Sequence, residues 1–283
     1  MNIYEETKFL MNKYNISANK DLGQNFLIDE DVIKKIVQAA EISSEDLVIE
    51  IGPGLGTLTS KLIEKAKKVI AIELDKRMIT ILNDRFSLYD NFSLINEDIL
   101  KVDLNKLIKE QNIDADHVKI VANLPYYITT PIIMKLLEER LQIKSITVMV
   151  QKEVADRLTE IPGGKNAGAI TYCVHYYSEA EAIVLVPNTS FIPSPKVNSE
   201  VIKFNIRKEP LVKIENEREF FKIIKASFSQ RRKTLINGLS NSGICSKEEI
   251  KEVLNSMNLS EKIRGENLSI EQFAELTDKL NTK

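Results

Sequence analysis

The sequence predicts an α/β protein with an open, mostly parallel sheet, followed by a small domain made only of helices. Short apolar runs typical of buried strands alternate with amphipathic stretches up to about residue 160, which is the pattern of parallel strands joined by right-handed crossovers. From about residue 207 onward only helical periodicity is present. We therefore predict a domain of residues 1–206, with a lead-in of residues 1–20, and a helical domain of residues 207–283.

Composition and length agree with a globular protein of two domains. The chain has 283 residues, of which 43% are hydrophobic and 28% charged. Because no apolar run approaches the length of a membrane span and the N-terminus lacks a signal pattern, we expect a cytoplasmic protein without membrane contact. The two cysteines and two histidines are widely separated, so we expect no metal site. Nothing in the sequence indicates an obligate dimer, and we expect a monomer.

The predicted elements follow from periodicity and from Gly and Pro positions. Predicted strands are residues 47–51, 69–75, 92–96, 118–122 and 146–150, then extended segments 172–177, 182–186 and 201–206, the last two forming an antiparallel edge. Predicted helices are residues 31–40, 131–141, 152–158, 220–228, 231–239, 247–257 and 270–280.

A glycine-rich turn follows the first of these strands. Its glycines, at positions 52, 54 and 56, let the backbone pass close to a ligand. Dinucleotide sites use the spacing G-x-G-x-x-G, whereas this chain has G-x-G-x-G, with Pro53 removing one N–H and Glu50 just before the turn. A carboxylate beside the turn suits an ammonium-bearing ligand better than a diphosphate. The pattern therefore favours S-adenosylmethionine over a nicotinamide dinucleotide.

Four successive strands end in residues of the kind that bind ligands: Gly52, Glu73, Asp98 and Asn123. Glu73 stands where the ribose-binding carboxylate of a nucleoside site belongs, although an acidic helix cap is an alternative. Asp98 is a candidate acceptor for an adenine amino group. The loop Gly23-Gln24-Asn25, before the first helix of the sheet domain, either lines a polar ligand or is ordinary turn chemistry.

The tetrapeptide Asn123-Leu-Pro-Tyr126 follows the fourth strand directly. The amide oxygen of Asn123 and the carbonyl of Pro125 are placed to accept hydrogen bonds from one exocyclic amino group, and Tyr126 to stack on the base that carries it. We interpret this segment as a catalytic clamp for the amino group of a planar heterocycle. An ordinary strand-ending turn is the alternative.

Positive charge is concentrated in one part of the chain. Between Lys203 and Lys233 there are ten Lys and Arg residues against four Glu, although the whole chain carries a net charge of −2. Such asymmetry indicates a nucleic-acid surface, while a solvated helix face is the alternative.

With these motifs placed, the chain resembles the rRNA adenine N6-dimethyltransferases, and within them the branch that modifies small-subunit rRNA. The segments that carry the resemblance are LGQNFL (22–27), VIEIGPGLGTLT (48–59), IELD (72–75), NEDIL (96–100), NLPYYITTPI (123–132), QKEVADRL (151–158), FIPSPKVNSEV (191–201), FSQRRKTLINGL (228–239) and RGENLSIEQF (264–273).

The resemblance implies a Rossmann-like class I methyltransferase fold with a seven-stranded, mostly parallel sheet. It implies that S-adenosylmethionine is held by Asn25, Leu27, Gly52, Glu73, Asp98 and Asn123. The implied reaction transfers four methyl groups, two to each of two adjacent adenines in the 3′-terminal hairpin loop of 16S rRNA, with the small (30S) ribosomal subunit as partner and a role in its biogenesis.

Candidate RNA contacts are Phe191, Lys196, Arg231, Arg232 and Lys233. Phe191 is a candidate to stack on the second face of the target base, with a core aromatic as the alternative. The Arg-Arg-Lys cluster and Lys196 are candidates to meet phosphate.

Other functions remain open from the sequence. They are methylation of 23S rRNA, of DNA adenine or of a glutamine amide, and a ribosome-assembly factor in which methylation is secondary. The basic helical tail disfavours a glutamine substrate, and the lack of a separate base-reading domain disfavours DNA.

Overall fold

The fold is given by a computed structural model, which describes residues 2–19, 22–230 and 233–281. The strands are β1 (Phe26–Leu27), β2 (Leu47–Ile51), β3 (Lys68–Glu73), β4 (Phe92–Asn96), β5 (Val118–Asn123), β6 (Ser145–Gln151), β7 (Ser178–Val186), β8 (Phe191–Ile192) and β9 (Ser199–Ile206). The helices are α1 (Ile3–Lys13), α2 (Glu30–Ala39), α3 (Thr57–Ile63), α4 (Lys76–Phe86), α5 (Leu104–Glu110), α6 (Thr129–Glu138), α7 (Lys152–Leu158), α8 (Ala169–Tyr177), α9 (Glu217–Phe228), α10 (Leu235–Asn241), α11 (Lys247–Ser256) and α12 (Ile270–Asn281).

Seven strands form one sheet in the order β4-β3-β2-β5-β6-β9-β7. Strands β2 to β6 are parallel, and β9 runs antiparallel to β6. The predicted seven-stranded, mostly parallel sheet is confirmed. Strands are added on one side of β2 up to β4 and on its other side from β5, so a crevice lies at this switch point beyond the carboxyl ends of the strands.

The burial of the central strand explains this layered arrangement. All five residues of β2 are buried, which requires cover on both faces of the sheet. On α2, four apolar residues form one buried stripe, and Asp29 caps the helix by accepting hydrogen bonds from two backbone N–H groups of the first turn. The buried residues of that stripe are Val32, Ile33, Ile36 and Val37.

The chain divides into two compact units. The first consists of Met1–Ala155 and Ala180–Ile206, and the second of Asp156–Glu179 and Arg207–Lys283. Within the second unit, α8 to α12 pack against one another. Residues 156–179, which the sequence predicts within the sheet domain, group with the helical unit in the structure. The role of the helical unit in RNA binding stays a prediction.

The prediction of an extended segment at residues 172–177 is wrong, because these residues lie in helix α8. Aromatic residues favour strands locally, but Tyr172 and Tyr176 are one helical turn apart and both are fully buried among phenylalanines of the same unit. Their ring neighbours are Phe220, Phe221, Phe228 and Phe273. Packing of one helical face therefore overrides local propensity.

Two further elements differ from the prediction. The helix expected at residues 231–239 begins at Leu235, where Thr234 caps it, so Lys233 precedes the helix. Strands β1 and β8 form a separate two-stranded antiparallel sheet, with Leu27 opposite Phe191. Each strand has only two residues, which is too short for sequence periodicity to predict it.

Two absences apply to the described residues only. None of the helices there is both long and apolar enough to cross a membrane. Nor does that part of the chain bring together three His, Cys, Asp or Glu side chains in an arrangement able to hold a metal ion.

Replacing Tyr172 by Phe should destabilise the helical unit. The buried hydroxyl donates to the carbonyl of Leu268 (2.5 Å) and accepts from the N–H of Gly163 (3.1 Å). Burial raises its pKa to about 12, so it remains a protonated donor. Its loss leaves both backbone groups unpaired, and we expect the free energy of unfolding in urea to fall by about 1–3 kcal/mol.

Tyr89→Phe is the matched control, because the Tyr89 side chain is half exposed. We expect its effect to stay within about 0.5 kcal/mol. Equal losses in the two variants would contradict the assigned role of the Tyr172 hydroxyl.

Candidate active site

A cavity lies beyond the carboxyl ends of the parallel strands. It has a volume of about 180 Å³, and its walls come from the loop before β1, the turn after β2, the ends of β3, β4 and β5, and the segment after β5. The predicted site residues that line it are Asn25, Leu27, Gly52, Glu73, Asp98, Asn123, Pro125 and Tyr126. The structure thus brings together all residues predicted for the cofactor site and the clamp.

The strand order arranges the four strand-end residues in a row. Along the sheet they follow one another as Asp98, Glu73, Gly52 and Asn123, from β4 through β3 and β2 to β5. Since neighbouring strands are about 4.8 Å apart, the row spans about 14 Å. That is the length of an extended nucleoside with a side arm, and not of a compact metabolite.

The glycine turn uses its own N–H groups internally. Three of these N–H groups donate to acceptors in the first unit, and Pro53 has no N–H. The pairs are Gly52 N to Ile72 O (3.0 Å), Gly54 N to Glu73 Oε2 (3.2 Å) and Gly56 N to Pro53 O (2.9 Å). A diphosphate site needs N–H groups that point at the ligand. This turn is therefore suited to a ligand without a diphosphate.

Gly56 is required for close packing of this turn. Its φ of +82° lies in the left-handed region, and a Cβ there would come within 2.5 Å of the Phe86 ring. The glycine lets the turn lie against α4 while the cavity side stays open.

Glu73 is almost completely buried, with 7% of its surface exposed. Its Oε1 accepts from the N–H of Asp75 (2.8 Å), and its Oε2 accepts from Gly54. Burial raises the pKa of Glu73, while these backbone hydrogen bonds oppose the increase. A carboxylate has about four acceptor positions, so Glu73 retains capacity for the two hydroxyls of a ribose.

The Asn123 amide is held in one orientation. Its Nδ2 donates to the backbone oxygen of Asn25 (3.2 Å), which leaves Oδ1 as the atom that can accept from a ligand. Asn25 in turn donates its side-chain N–H to the Gly23 carbonyl (3.0 Å). The two predicted asparagines therefore act as one unit, which their separation in the sequence does not reveal.

The Pro125 carbonyl is already engaged. It accepts from the Thr129 hydroxyl (2.9 Å) and from the N–H of Ile128 (3.3 Å), which uses both lone pairs of the oxygen. Leu124 also lines the cavity, and its carbonyl accepts no hydrogen bond from any described residue. The structure thus favours the Leu124 carbonyl as the second acceptor of the clamp, in place of that of Pro125.

The Tyr126 ring is fixed through its hydroxyl, which lies 2.6 Å from Oγ of the buried Ser199. Burial raises the pKa of Tyr126, so the hydroxyl stays protonated and the ring stays neutral. Ser199 lies in β9 and was not predicted as a site residue.

The predicted RNA contacts that the structure describes do not line the cavity. Phe191 is 3% exposed and belongs to the hydrophobic core, which agrees with the alternative interpretation as a core aromatic, and its contact with RNA stays a prediction. Lys196 is exposed in the first unit, and Lys233 is exposed in the second. Arg231 and Arg232 lie outside the described residues.

A polar network missed by the sequence analysis supports one wall of the cavity. Asp75 Oδ2 accepts from Gln24 Nε2 (2.9 Å), and Gln24 Oε1 accepts from the N–H of Asn19 (2.9 Å). Burial alone would raise the pKa of Asp75, but hydrogen bonds from Arg77 and Gln24 outweigh it and hold the pKa below its usual value. Asp75 thus connects the Glu73 loop to the wall.

Comparison with known proteins shows similarity over nearly the whole chain. The model of a family described as ribosomal RNA adenine dimethylase matches residues 15–281. Ribosomal RNA small subunit methyltransferase A of Bacillus pumilus (strain SAFR-032) is 51% identical over 277 residues, which cover 97% of this chain and 95% of that protein. The protein of the same name from Clostridioides difficile (strain 630) is 50% identical over 99% of this chain and 96% of its own.

Solved structures give the same result at the level of the fold. A dimethyladenosine transferase from Plasmodium falciparum is 30% identical, with a TM-score of 0.73 over 91% of this chain and 98% of that chain. The 23S rRNA methyltransferase ErmE is 24% identical, with a TM-score of 0.67 over 91% of this chain and 100% of that chain, and shows likeness of fold alone.

Asp75→Asn should loosen the wall formed by residues 22–27. The substitution weakens charged hydrogen bonds that are each worth about 1.5–3 kcal/mol, so we expect hydrogen exchange of these amides to accelerate about tenfold or more. Asp84→Asn is the matched control, because Asp84 accepts from Lys13 (2.9 Å) at the end of α1 and not from the wall. Unchanged exchange at residues 22–27 in Asp75→Asn would contradict the proposed support.

Proposed function

The chain belongs to the ribosomal RNA adenine dimethylase family, and from that premise we propose that it methylates N6 of adenines in small-subunit rRNA with S-adenosylmethionine as donor. The proposed product is two adjacent dimethylated adenines in the 3′-terminal hairpin loop of 16S rRNA, four methyl groups in all. The proposed partner is the 30S subunit during its biogenesis, which locates the activity in the cytoplasm. Action as a monomer and without a metal stays a prediction.

One observation carries this proposal: Asp98, Glu73, Gly52 and Asn123 line a single cavity in that order. Asp98 and Glu73 supply acceptors for an adenine amino group and a ribose diol on neighbouring strands. Two strands further along, Asn123 supplies an acceptor for the amino group of a second, incoming adenine. Nucleoside recognition and the substrate clamp are thus adjacent.

The residues present also fit the cofactor chemically. The glycine turn has Pro53 and internally bound N–H groups where a dinucleotide site needs free donors. Glu50 lines the cavity, and its buried Oε2 has no hydrogen-bond partner within the described residues. Both features fit a ligand that brings a positive charge and no diphosphate. When bound, S-adenosylmethionine supplies a methyl group activated by a positively charged sulfur.

The clamp makes the target nitrogen nucleophilic by orienting it. The lone pair of an adenine amino group is delocalised into the ring. Oδ1 of Asn123 and the Leu124 carbonyl accept its two N–H bonds, which favours a tetrahedral nitrogen with its lone pair freed. This arrangement stabilises the transition state more than the planar ground state. The surplus proton leaves to water after transfer, when the nitrogen is positively charged.

The target base must leave its stack to reach this site. The Tyr126 ring, held by Ser199, is the proposed stacking surface. Lys196 and the cluster Arg231, Arg232 and Lys233 are the proposed phosphate contacts, so binding to the subunit should weaken as salt rises. The excess of basic over acidic residues after Lys203 supports this assignment, whereas Lys203 itself is buried and paired with Glu41.

Asn123→Ala should lower kcat for methyl transfer to undermethylated small subunits by about a hundredfold to a thousandfold at saturating cofactor, because one transition-state acceptor is lost. The measurement is incorporation of labelled methyl, four per subunit for the wild type. Asn255→Ala, an exposed asparagine of α11, is the control and should behave as the wild type.

The same assay separates the other functions. Transfer to large subunits and not to small ones would move the substrate to 23S rRNA. Wild-type protein that binds small subunits tightly but transfers no methyl group to any substrate would contradict the enzymatic proposal.

Tyr126 and Ser199 should act as one unit. Tyr126→Phe and Ser199→Ala each remove one hydrogen bond, and we expect kcat/KM for the subunit to fall by roughly threefold to tenfold in each and no further in the double variant. Tyr126→Ala also removes the stacking surface, worth about 1–3 kcal/mol, and should fall well below both. Additive losses in the double variant would show that Ser199 does not act through Tyr126.

A further inference from the structure

The side chain of Arg85, in α4, joins the N-terminal helix to the glycine turn of residues 52–56. Its Nη1 donates to the carbonyl oxygen of Leu55, and its Nη2 pairs with Oε1 of Glu6 in α1. Leu55 lies inside the turn and borders the cavity, whereas none of the described residues of α1 lines it. One side chain thus contacts both the wall of the cavity and a helix outside it.

The Arg85 guanidinium has a defined position behind the turn. Its side chain is 14% exposed, and its Cζ lies over the Phe86 ring, 5.0 Å from the ring centre. This is the ring that a Cβ at Gly56 would meet. A cation over an aromatic face is attracted to it, but a mostly buried cation also needs an opposite charge nearby. Helix α1 supplies that charge with Glu6.

The glycine turn needs contacts of this kind to keep one shape. A turn with three glycines has many backbone conformations available, so ordering it costs more free energy than ordering other residues does. The hydrogen bonds described above hold N–H groups of the turn, and Arg85 holds one of its carbonyl groups. Arg85 therefore restrains the turn from the side opposite to the ligand.

Helix α1 is attached to the rest of the first unit by more than Arg85. Thr7 and Leu10 are buried, and Leu10 belongs to the hydrophobic core. Near the end of the helix, Nζ of Lys13 lies 2.9 Å from Oδ2 of Asp84. The contact between Glu6 and Arg85 is thus not needed to hold the whole helix in place, and it can have a separate role.

We propose that Arg85 is a positioning residue for the cofactor site and that α1 acts on this site through it. Because the proposed function makes the cavity the S-adenosylmethionine site, a turn already held in its binding shape loses less conformational entropy when the cofactor binds. Glu6 fixes the guanidinium, and the guanidinium fixes Leu55. Coupling of this kind is reciprocal, so bound cofactor also stabilises α1.

Arg85→Met tests the positioning role, because it keeps the apolar stem beside Phe86 and removes both hydrogen bonds. We expect the Kd for S-adenosylhomocysteine, measured by isothermal titration calorimetry, to rise about tenfold with the loss of a charged hydrogen bond. The KM for S-adenosylmethionine should rise by a similar factor, while kcat at saturating cofactor and small subunits stays within about twofold of the wild type. A merely structural role would lower kcat through loss of folded protein and leave Kd and KM unchanged.

Two further variants examine the route from α1. Lys13→Met is the matched control, because it breaks an exposed ion pair between α1 and α4 that does not contact the turn, and its Kd should stay at the wild-type value. Glu6→Ala should weaken binding, and the double variant with Arg85→Met should bind no more weakly than Arg85→Met alone. Additive losses, or an equal rise of Kd in Lys13→Met, would overturn the route through Arg85.

Hydrogen exchange of α1 measures the reciprocal effect without any methyl transfer. S-adenosylhomocysteine should slow exchange of the amides of residues 7–13 by up to about tenfold in the wild type, and not in Arg85→Met. An unchanged Kd in Arg85→Met, or equal protection of α1 in both proteins, would overturn this inference and leave the proposed function intact. Wild-type protein that binds no S-adenosylhomocysteine would overturn both.

Discussion

The buried carboxylate of Glu73 is the point on which the site depends. Its two oxygens accept backbone N–H groups from both sides, Gly54 in the turn after β2 and Asp75 before α4. The bond from Gly54 joins the ends of the neighbouring parallel strands β2 and β3, and the bond from Asp75 fixes the chain just after β3. The Asp75 side chain extends the connection to Gln24 in the cavity wall. Displacement of Glu73 would therefore disturb the glycine turn and the wall together.

The site also contains two acidic side chains whose burial is electrostatically unfavourable. Glu50 and Glu73 are buried, with 1% and 7% of their surfaces exposed, and burial raises the pKa of each. Two such acids lower the stability of the free protein, because a sheet with apolar residues at both positions would avoid the cost of burying them. A ligand that brings hydroxyl donors and a cation would reduce the cost of burying both acids.

The sequence was sufficient where one local pattern determines structure. Residues 92–96 and 152–158 coincide with β4 and α7, and the strand-end residues meet because parallel strands share an edge. The sequence was insufficient where contacts formed in the folded protein determine the conformation or the availability of a residue. Packing of the helical unit makes a helix of residues 172–177, and two hydrogen bonds occupy the Pro125 carbonyl. Phe191 enters the core through its pairing with Leu27. The partners of residues 172–177 and of Phe191 are distant in sequence. Those of the Pro125 carbonyl, Ile128 and Thr129, are near, but their hydrogen bonds depend on the turn that follows β5.

The pairing of β1 with β8 affects the order in which the protein folds during its synthesis. Within the part of the chain that the structure describes, strand β1, which carries part of the cavity wall, pairs only with β8. The Ser190 hydroxyl donates to Asp29 (2.8 Å) across 161 residues of chain. During synthesis the strands β2 to β6 emerge and can pair with one another long before residues 190–192 are available. Closing so long a loop also carries a larger entropic cost than the earlier contacts do. The binding site is therefore among the last parts of the sheet unit to be completed as the chain leaves the ribosome.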